Sequence, residues 1–198
     1  MKKNFLRVLF ILFVSLSVST WVGCGNSSNN NADDAEFSEN DDQGEEDDAI
    51  SESQNYDNHV AEMSGEFYGD LYVCENGGFS IIFLGPPEVT WDIVETDVGD
   101  IDLYSYLYEL SDAEAYMVAF GDYPEELIDK ENPYEMLVSS REGALEDMDA
   151  LIEDEKQFEV NGFPAVRTYA IGQADNMYIV YQSAIANNRL FQIMMARE

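Results

Sequence analysis

Positive charge is what this 198-residue chain has least of: nine Lys and Arg stand against 41 Asp and Glu, a formal net charge of −32. A field of that sign repels phosphate backbones and anionic lipid surfaces, which argues against nucleic-acid binding. Histidine occurs once, as His59, and cysteine twice, as Cys24 and Cys74. A Ser-His-Asp or Cys-His arrangement would have to use His59, which lies at the edge of an acidic stretch where a solvated ring is expected. The chain has no His-Glu-x-x-His, Cys-x-x-Cys, phosphate-cradling glycine loop or Gly-x-Ser-x-Gly elbow. The acids form no calcium loop either: Asp97, Asp100 and Asp102 lack the spacing and the closing glutamate of an EF-hand. No catalytic residue, metal ligand or cofactor is assigned on this basis. An enzyme or metal-dependent sensor using acidic clusters remains an alternative without named residues.

Long apolar runs are equally scarce. The one from Val8 to Val22 is about 15 residues, short of the roughly 20 a membrane-spanning helix needs. Lys2, Lys3 and Arg7 precede it and Gly23-Cys24 follow it, which is the layout of a secretory signal over residues 1–23. The junction Trp21-Val22-Gly23-Cys24 resembles the lipobox of bacterial lipoproteins, with Trp21 in place of the usual leucine. The resemblance implies a diacylglyceryl group on Cys24, hence a chain held to a membrane of the cell envelope by lipid. Gly25 and Asn26 are not the aspartate that retains such proteins in an inner membrane, so the resemblance implies the outer membrane where the cell has two.

Residues 24–59 read as a tether. An Asn/Ser tract leads into an acidic block from Asp33 to Asp57 that contains no Lys or Arg. Apolar residues there are too sparse to offset the entropy of ordering. As a flexible chain it would span roughly 30–35 Å, and self-repulsion would extend it. Loss of the leader removes Lys2, Lys3 and Arg7 and no acid, leaving six basic residues against 41 acids, or −35. Twelve acids belong to the tether, so residues 60–198 still carry six bases against 29 acids. A solubilising surface and a cation-binding surface both fit that excess.

From Val60 the pattern becomes that of one folded domain. Strands are expected at Phe79–Leu84, Val89–Thr96, Ile101–Leu110, Ala115–Phe120, Phe158–Val160, Pro164–Ile171, Met177–Ala186 and Leu190–Ala196. Hairpin turns are expected at Asp97-Val98-Gly99-Asp100, Asn161-Gly162 and Asn187-Asn188-Arg189. Asn132 is suited to cap a helix, with Pro133 at its first position and Glu135 completing a capping box. Leu137, Val138, Arg141, Leu145, Met148, Leu151 and Ile152 continue at intervals of three and four, which predicts one long helix, with a short turn of helix at Pro124–Ile128. Strands, one helix and strands again mean α+β: an antiparallel sheet with the helix on one face. Leu71–Cys74 reads as a further strand, in which Cys74 is expected to be a buried inert thiol.

Gly78-Phe79-Ser80-Ile81 with Pro86-Pro87, Asn161-Gly162-Phe163-Pro164-Ala165 and Asn188-Arg189-Leu190-Phe191-Gln192 are similar to segments of the PsbP/Mog1-type sandwich of bacterial envelope proteins. The resemblance implies that sandwich fold and an accessory or binding module rather than an enzyme, and it brings no catalytic residue. As candidate binding surface for a protein or small-ligand partner we take Tyr104, Tyr106 and Tyr108, which share one face of a strand, with the rare cations Arg167 and Arg189. Burial of the tyrosines under another element, and structural pairing of the arginines, are the competing expectations.

Overall fold

The computed structural model describes residues 45–96, 99–128, 132–146, 148–173 and 176–198. The expected signal peptide 1–23, Cys24 and the first part of the expected tether lie outside the described residues. Helix α1 (Glu45–Glu62) comes first, followed by three short strands, β1 (Glu66–Tyr68), β2 (Leu71–Cys74) and β3 (Phe79–Ile82). Longer strands follow: β4 (Glu88–Thr96), β5 (Gly99–Ser111) and β6 (Glu114–Asp122). Two helices, α2 (Glu125–Ile128) and α3 (Pro133–Glu146), then lead to β7 (Ala150–Val160), β8 (Phe163–Gly172), β9 (Met177–Ala186) and β10 (Arg189–Arg197). The short strands form an antiparallel sheet in the order β1-β2-β3, and the rest form a seven-stranded sheet in the order β4-β5-β6-β10-β9-β8-β7. Every described pairing is antiparallel. The fold is α+β, and the sheets dominate it.

Turn chemistry places most of these elements. Asn161 and Gly162 both take left-handed backbone, φ 53° and 83°, and join β7 to β8. Asn187 does the same at φ 58° between β9 and β10. Asn132 caps α3 as expected, its Oδ1 accepting from Tyr134 N at 3.1 Å, but the reciprocal capping-box bond is replaced: Glu135 Oε1 accepts from the Asn132 side-chain Nδ2 at 3.5 Å, and the Asn132 carbonyl accepts from Glu135 N at 2.9 Å.

The expected long helix is corrected. It ends at Glu146, and Leu151, Ile152 and Glu153 belong to β7 instead. Asp149 enters left-handed backbone at φ 45°, which stops the helix. Beyond it the chain completes a ladder against β8 that runs from Ala150 opposite Gly172 to Val160 opposite Phe163. Leu151 and Ile152 stay exposed, so the helical spacing of these two residues buries nothing.

A second correction concerns the tether. Its last part is not extended chain, because residues from Glu45 onward form α1. The C-terminal end of that helix is docked through side chains. The ring of His59 stacks on Trp91 of β4 with centroids 4.1 Å apart and its Nδ1 is 2.9 Å from Tyr104 Oη. His59 is therefore half-buried and partnered rather than solvated.

The large sheet has two unlike faces. On one, α3 covers β7, β8 and β9, and Leu145, Met148, Ala170, Ile179, Tyr181 and Met194 form a core there. Arg141 fastens the helix to β7 by donating from Nη1 to Glu155 Oε2 at 2.7 Å, an oxygen that also accepts from Thr168 Oγ1. On the other face, the small sheet packs over β5 and β6. A second, aromatic core of Tyr72, Cys74, Phe83, Tyr104, Tyr106, Val118 and Phe120 lies beneath it.

Candidate functional site

The cross-strand register lets this second face be read row by row. One row of facing residues runs Val89, Tyr106, Val118, Ile193, Gln182, Arg167 and Lys156 across all seven strands. The next runs Trp91, Tyr104, Phe120, Phe191, Ala184, Ala165 and Phe158. The first row passes from burial to exposure, whereas the second stays buried or half-buried throughout, with Ala165 fully buried. Tyr106 and Val118 are buried, whereas Ile193 is 36% exposed and Arg167 is exposed.

The tyrosine stripe is therefore not an open binding surface. Tyr106 has no exposed surface and Tyr104 almost none, while Tyr108 is half-buried. Tyr106 Oη donates to the Met63 carbonyl at 2.7 Å and lies 3.3 Å from Cys74 Sγ, which donates to the same carbonyl at 3.1 Å. Asn76 Nδ2 donates to the Glu62 carbonyl at 2.8 Å. Three side chains thus satisfy carbonyls that the end of α1 leaves open. Burial raises the pKa of the Tyr106 hydroxyl far above the usual tyrosine value, with the bond to Cys74 acting in the same direction. Cys74 is a buried thiol, as its strand setting suggested.

The two arginines have different roles. Arg189 is committed to structure: it forms a fork with Asp122, Nε to Oδ1 and Nη2 to Oδ2 both at 2.6 Å. Its Nη1 donates to the carbonyls of Asn76 and Gly77, and its guanidinium lies 4.5 Å from the Phe120 ring centre. It thereby pins the β2–β3 turn to the large sheet. At that turn Gly77 is obligatory, since a Cβ would lie 2.7 Å from Cys74 Sγ and 2.9 Å from the Phe120 ring. The Asp122 bond raises the Arg189 pKa and keeps the fork charged. Arg167 instead stands on the open half of the face. It donates from Nε and Nη2 to Gln182 Oε1 at 3.0 and 2.8 Å, and its Nη1 has no partner among the described residues.

Between the small sheet and this open half runs a trough of about 430 Å³. One wall is Gly78–Ile81, the floor is Ile193, Phe191, Gln182, Ala184 and Ala186, and the far wall is Val160, Asn161 and Phe163. None of these residues is charged. Its floor was not picked out from the sequence, although a signal was present. Residues 177–196 contain a single charged side chain, Arg189, in a chain where a quarter of all residues are charged. Strands facing water on one side would carry charge at alternate positions.

Among the described residues, no group of three or more His, Cys, Asp or Glu is placed to hold a metal ion. No helix of the described residues is long and apolar enough to cross a membrane. No family model matches the chain, and no curated protein matches it. Among solved structures, it is similar to the solution structure of cyanobacterial PsbP (CyanoP) from Synechocystis sp. PCC 6803, with 12% identity, a TM-score of 0.42, and coverage of 68% of this chain and 81% of that one. It is also similar to a protein of unknown function, PA94, from Pseudomonas aeruginosa, with 8% identity, a TM-score of 0.36, and coverage of 54% and 82%. Both scores are below one half, and the α+β description rests on the strand order itself.

Proposed function

We propose that this chain is a lipoprotein of the cell envelope, anchored through lipid on Cys24, whose α+β domain is a non-catalytic module that seats a partner in the trough. The observation that carries the binding reading is the uncharged, partly open trough in a chain of net charge −32. Exposed apolar surface bordered by polar residues is the usual mark of a contact site. The partner site thus moves from the tyrosine stripe to Ile193, Phe191, Gln182 and Ala184, with Arg167 bonded to the lining residue Gln182.

The PsbP/Mog1-type sandwich is the finer fold reading we attach to this proposal. The three segments that carry the resemblance all contribute to the trough: Gly78–Ile81, Asn161 with Phe163, and Phe191. Anchoring and binding are separately testable. Cys24→Ser should leave the precursor unprocessed and without lipid label; unchanged labelling would refute the anchor. A photoreactive side chain at position 193 should give a discrete crosslinked adduct in cells, and one at exposed Leu151 should not. Equal yields from the two positions would remove the trough as the binding site.

A further inference from the structure

We propose that the outer face of the small sheet, centred on Tyr68, Leu71 and Ile82, is a second docking surface that takes a segment of a partner protein combining aliphatic side chains with lysine or arginine. The register sets these three residues side by side, Tyr68 opposite Leu71 and Leu71 opposite Ile82. Their chain neighbours Tyr72, Ile81 and Phe83 belong to the aromatic core. Successive side chains of a strand point to opposite sides, so the row faces away from the large sheet. Tyr68, Leu71 and Ile82 are 63, 39 and 65% exposed, and Leu84, just beyond β3, is exposed as well. With neighbouring strands about 4.8 Å apart, the row is a continuous apolar strip. Such a strip bordered by polar residues marks a contact site. None of the three residues lines the trough, so this surface stands independently of it.

Charge identifies the occupant. The adjacent row of the same face is Glu66, Val73 and Ser80. Glu66 Oε2 accepts from the Tyr68 hydroxyl at 3.3 Å. The charge of Glu66 raises the Tyr68 pKa most, its hydrogen bond comes next, and the charge of Glu75 adds to both. Two carboxylates therefore border the ring. No Lys or Arg occurs between Arg7 and Lys130, so α1 and the strands β1 to β6 contain none. Arg189 does reach the small sheet, but at the Asn76-Gly77 turn, the opposite end from Tyr68, and it is held there by Asp122. A partner ammonium or guanidinium would meet Glu66 and Glu75 and lie against the ring of Tyr68, while its aliphatic neighbours cover Leu71 and Ile82. The same field disfavours other occupants alike: a second copy brings a net charge of −32, and an acidic segment or an anionic lipid surface is repelled for the same reason.

The test uses the full chain in nonionic detergent at about 0.15 M salt, where long-range attraction is screened, with micelles alone as the blank. The probe is a short dye-labelled peptide alternating valine and lysine, compared with a serine and lysine peptide of equal charge. Saturable binding of the valine peptide is expected, about tenfold tighter than that of the serine peptide. Ile82→Ser should weaken it about tenfold, the loss of one aliphatic contact. Glu66→Gln should weaken it about threefold. Glu153→Gln makes the same change in charge on the exposed strand β7 and should leave affinity unchanged. Equal affinity for the two peptides, or equal weakening by Glu66→Gln and Glu153→Gln, means diffuse attraction and overturns the proposal. Weakening by Ile193→Ser with none by Ile82→Ser puts the peptide in the trough and overturns it too. A photoreactive side chain at position 68 tests the remaining occupants without peptide. A crosslink to residues 2–22 makes the chain's own basic and apolar leader the occupant, and a crosslink between two copies makes the face a dimer contact. Either result also overturns the proposal.

Discussion

Tyr106 shows how one side chain ties three elements of the molecule together. Its ring packs against Phe79 of β3, with centroids 4.9 Å apart, while its hydroxyl reaches the carbonyl that follows α1. Replacing it with phenylalanine keeps the ring and removes the hydroxyl. The Met63 carbonyl would then rely on Cys74 alone, at a cost of about 1–2 kcal/mol near neutral pH. The pH dependence has a definite sign. The folded-state pKa of this hydroxyl is raised above its ordinary value of 10.0. Its stabilising contribution is therefore complete below pH 10 and is lost as pH rises further and the unfolded chain ionises first. Tyr106→Phe lacks that titration, so its deficit relative to the parent should shrink above pH 10. Urea unfolding at pH 7 and at pH 10.5 reads both quantities, and a deficit constant across that range would refute the account. Tyr181, buried and also raised, titrates in the same direction in both proteins and cancels in the comparison.

Helix α1 sits against β4 through few groups, so its docking should be the weakest join between elements. Tyr56 and His59 meet Trp91, with centroids 6.1 and 4.1 Å away, and His59 bonds Tyr104. Loss of one stacked pair and one hydrogen bond removes about 1–2 kcal/mol, which corresponds to roughly tenfold in a local opening equilibrium. His59→Ala should therefore raise the rate of thiol labelling at Cys74 about tenfold, because Cys74 lies beneath the chain that leaves α1. Labelling resolved peptide by peptide measures it, and a rate equal to the parent's would mean that α1 does not guard this core. The same contacts explain why α1 was not legible in the sequence. Its residues are mostly acids and amides, and its partners lie some 30 to 45 positions away in β4 and β5. The signals that did succeed were local ones: the Asn132 cap, the Asn161-Gly162 turn, and the alternation that put three tyrosines on one face. Local spacing failed at Leu151 and Ile152, where pairing with β8 outweighs a helical period. It also could not show that β1 to β3 cover Tyr104 and Tyr106, because β1 carries no period of its own and the contacts that seat the small sheet join residues some 30 positions apart. The edge strand β7 illustrates a related constraint. Glu153, Asp154, Glu155 and Lys156 keep an exposed edge charged, which disfavours pairing with other chains, whereas β3 has no charged residue.

At the scale of the whole molecule the excess of acids must be reconciled with a compact fold. Among the described residues the ion pairs are few, and Arg141 and Arg189 supply them. Most carboxylates therefore face water and one another. Their mutual repulsion is greater in the folded chain than in the expanded one, so it opposes folding. Salt shortens its range from about 30 Å at 0.01 M to about 3 Å at 1 M. Raising sodium chloride across that interval should stabilise the protein by about 1–2 kcal/mol, a shift of a few degrees in the melting temperature for a chain of this size. The comparison that decides between diffuse screening and a cation site is calcium chloride at matched ionic strength. A diffuse acidic surface gives a graded rise with no stoichiometric end point. A site would add a saturating increment at calcium concentrations near that of the protein, following the mass action of a ligand that binds only the folded state. We expect the graded curve, because the acids do not converge among the described residues. Thermal melts in the two salts provide the measurement, and a stoichiometric calcium increment would return the acidic surface to the list of binding sites.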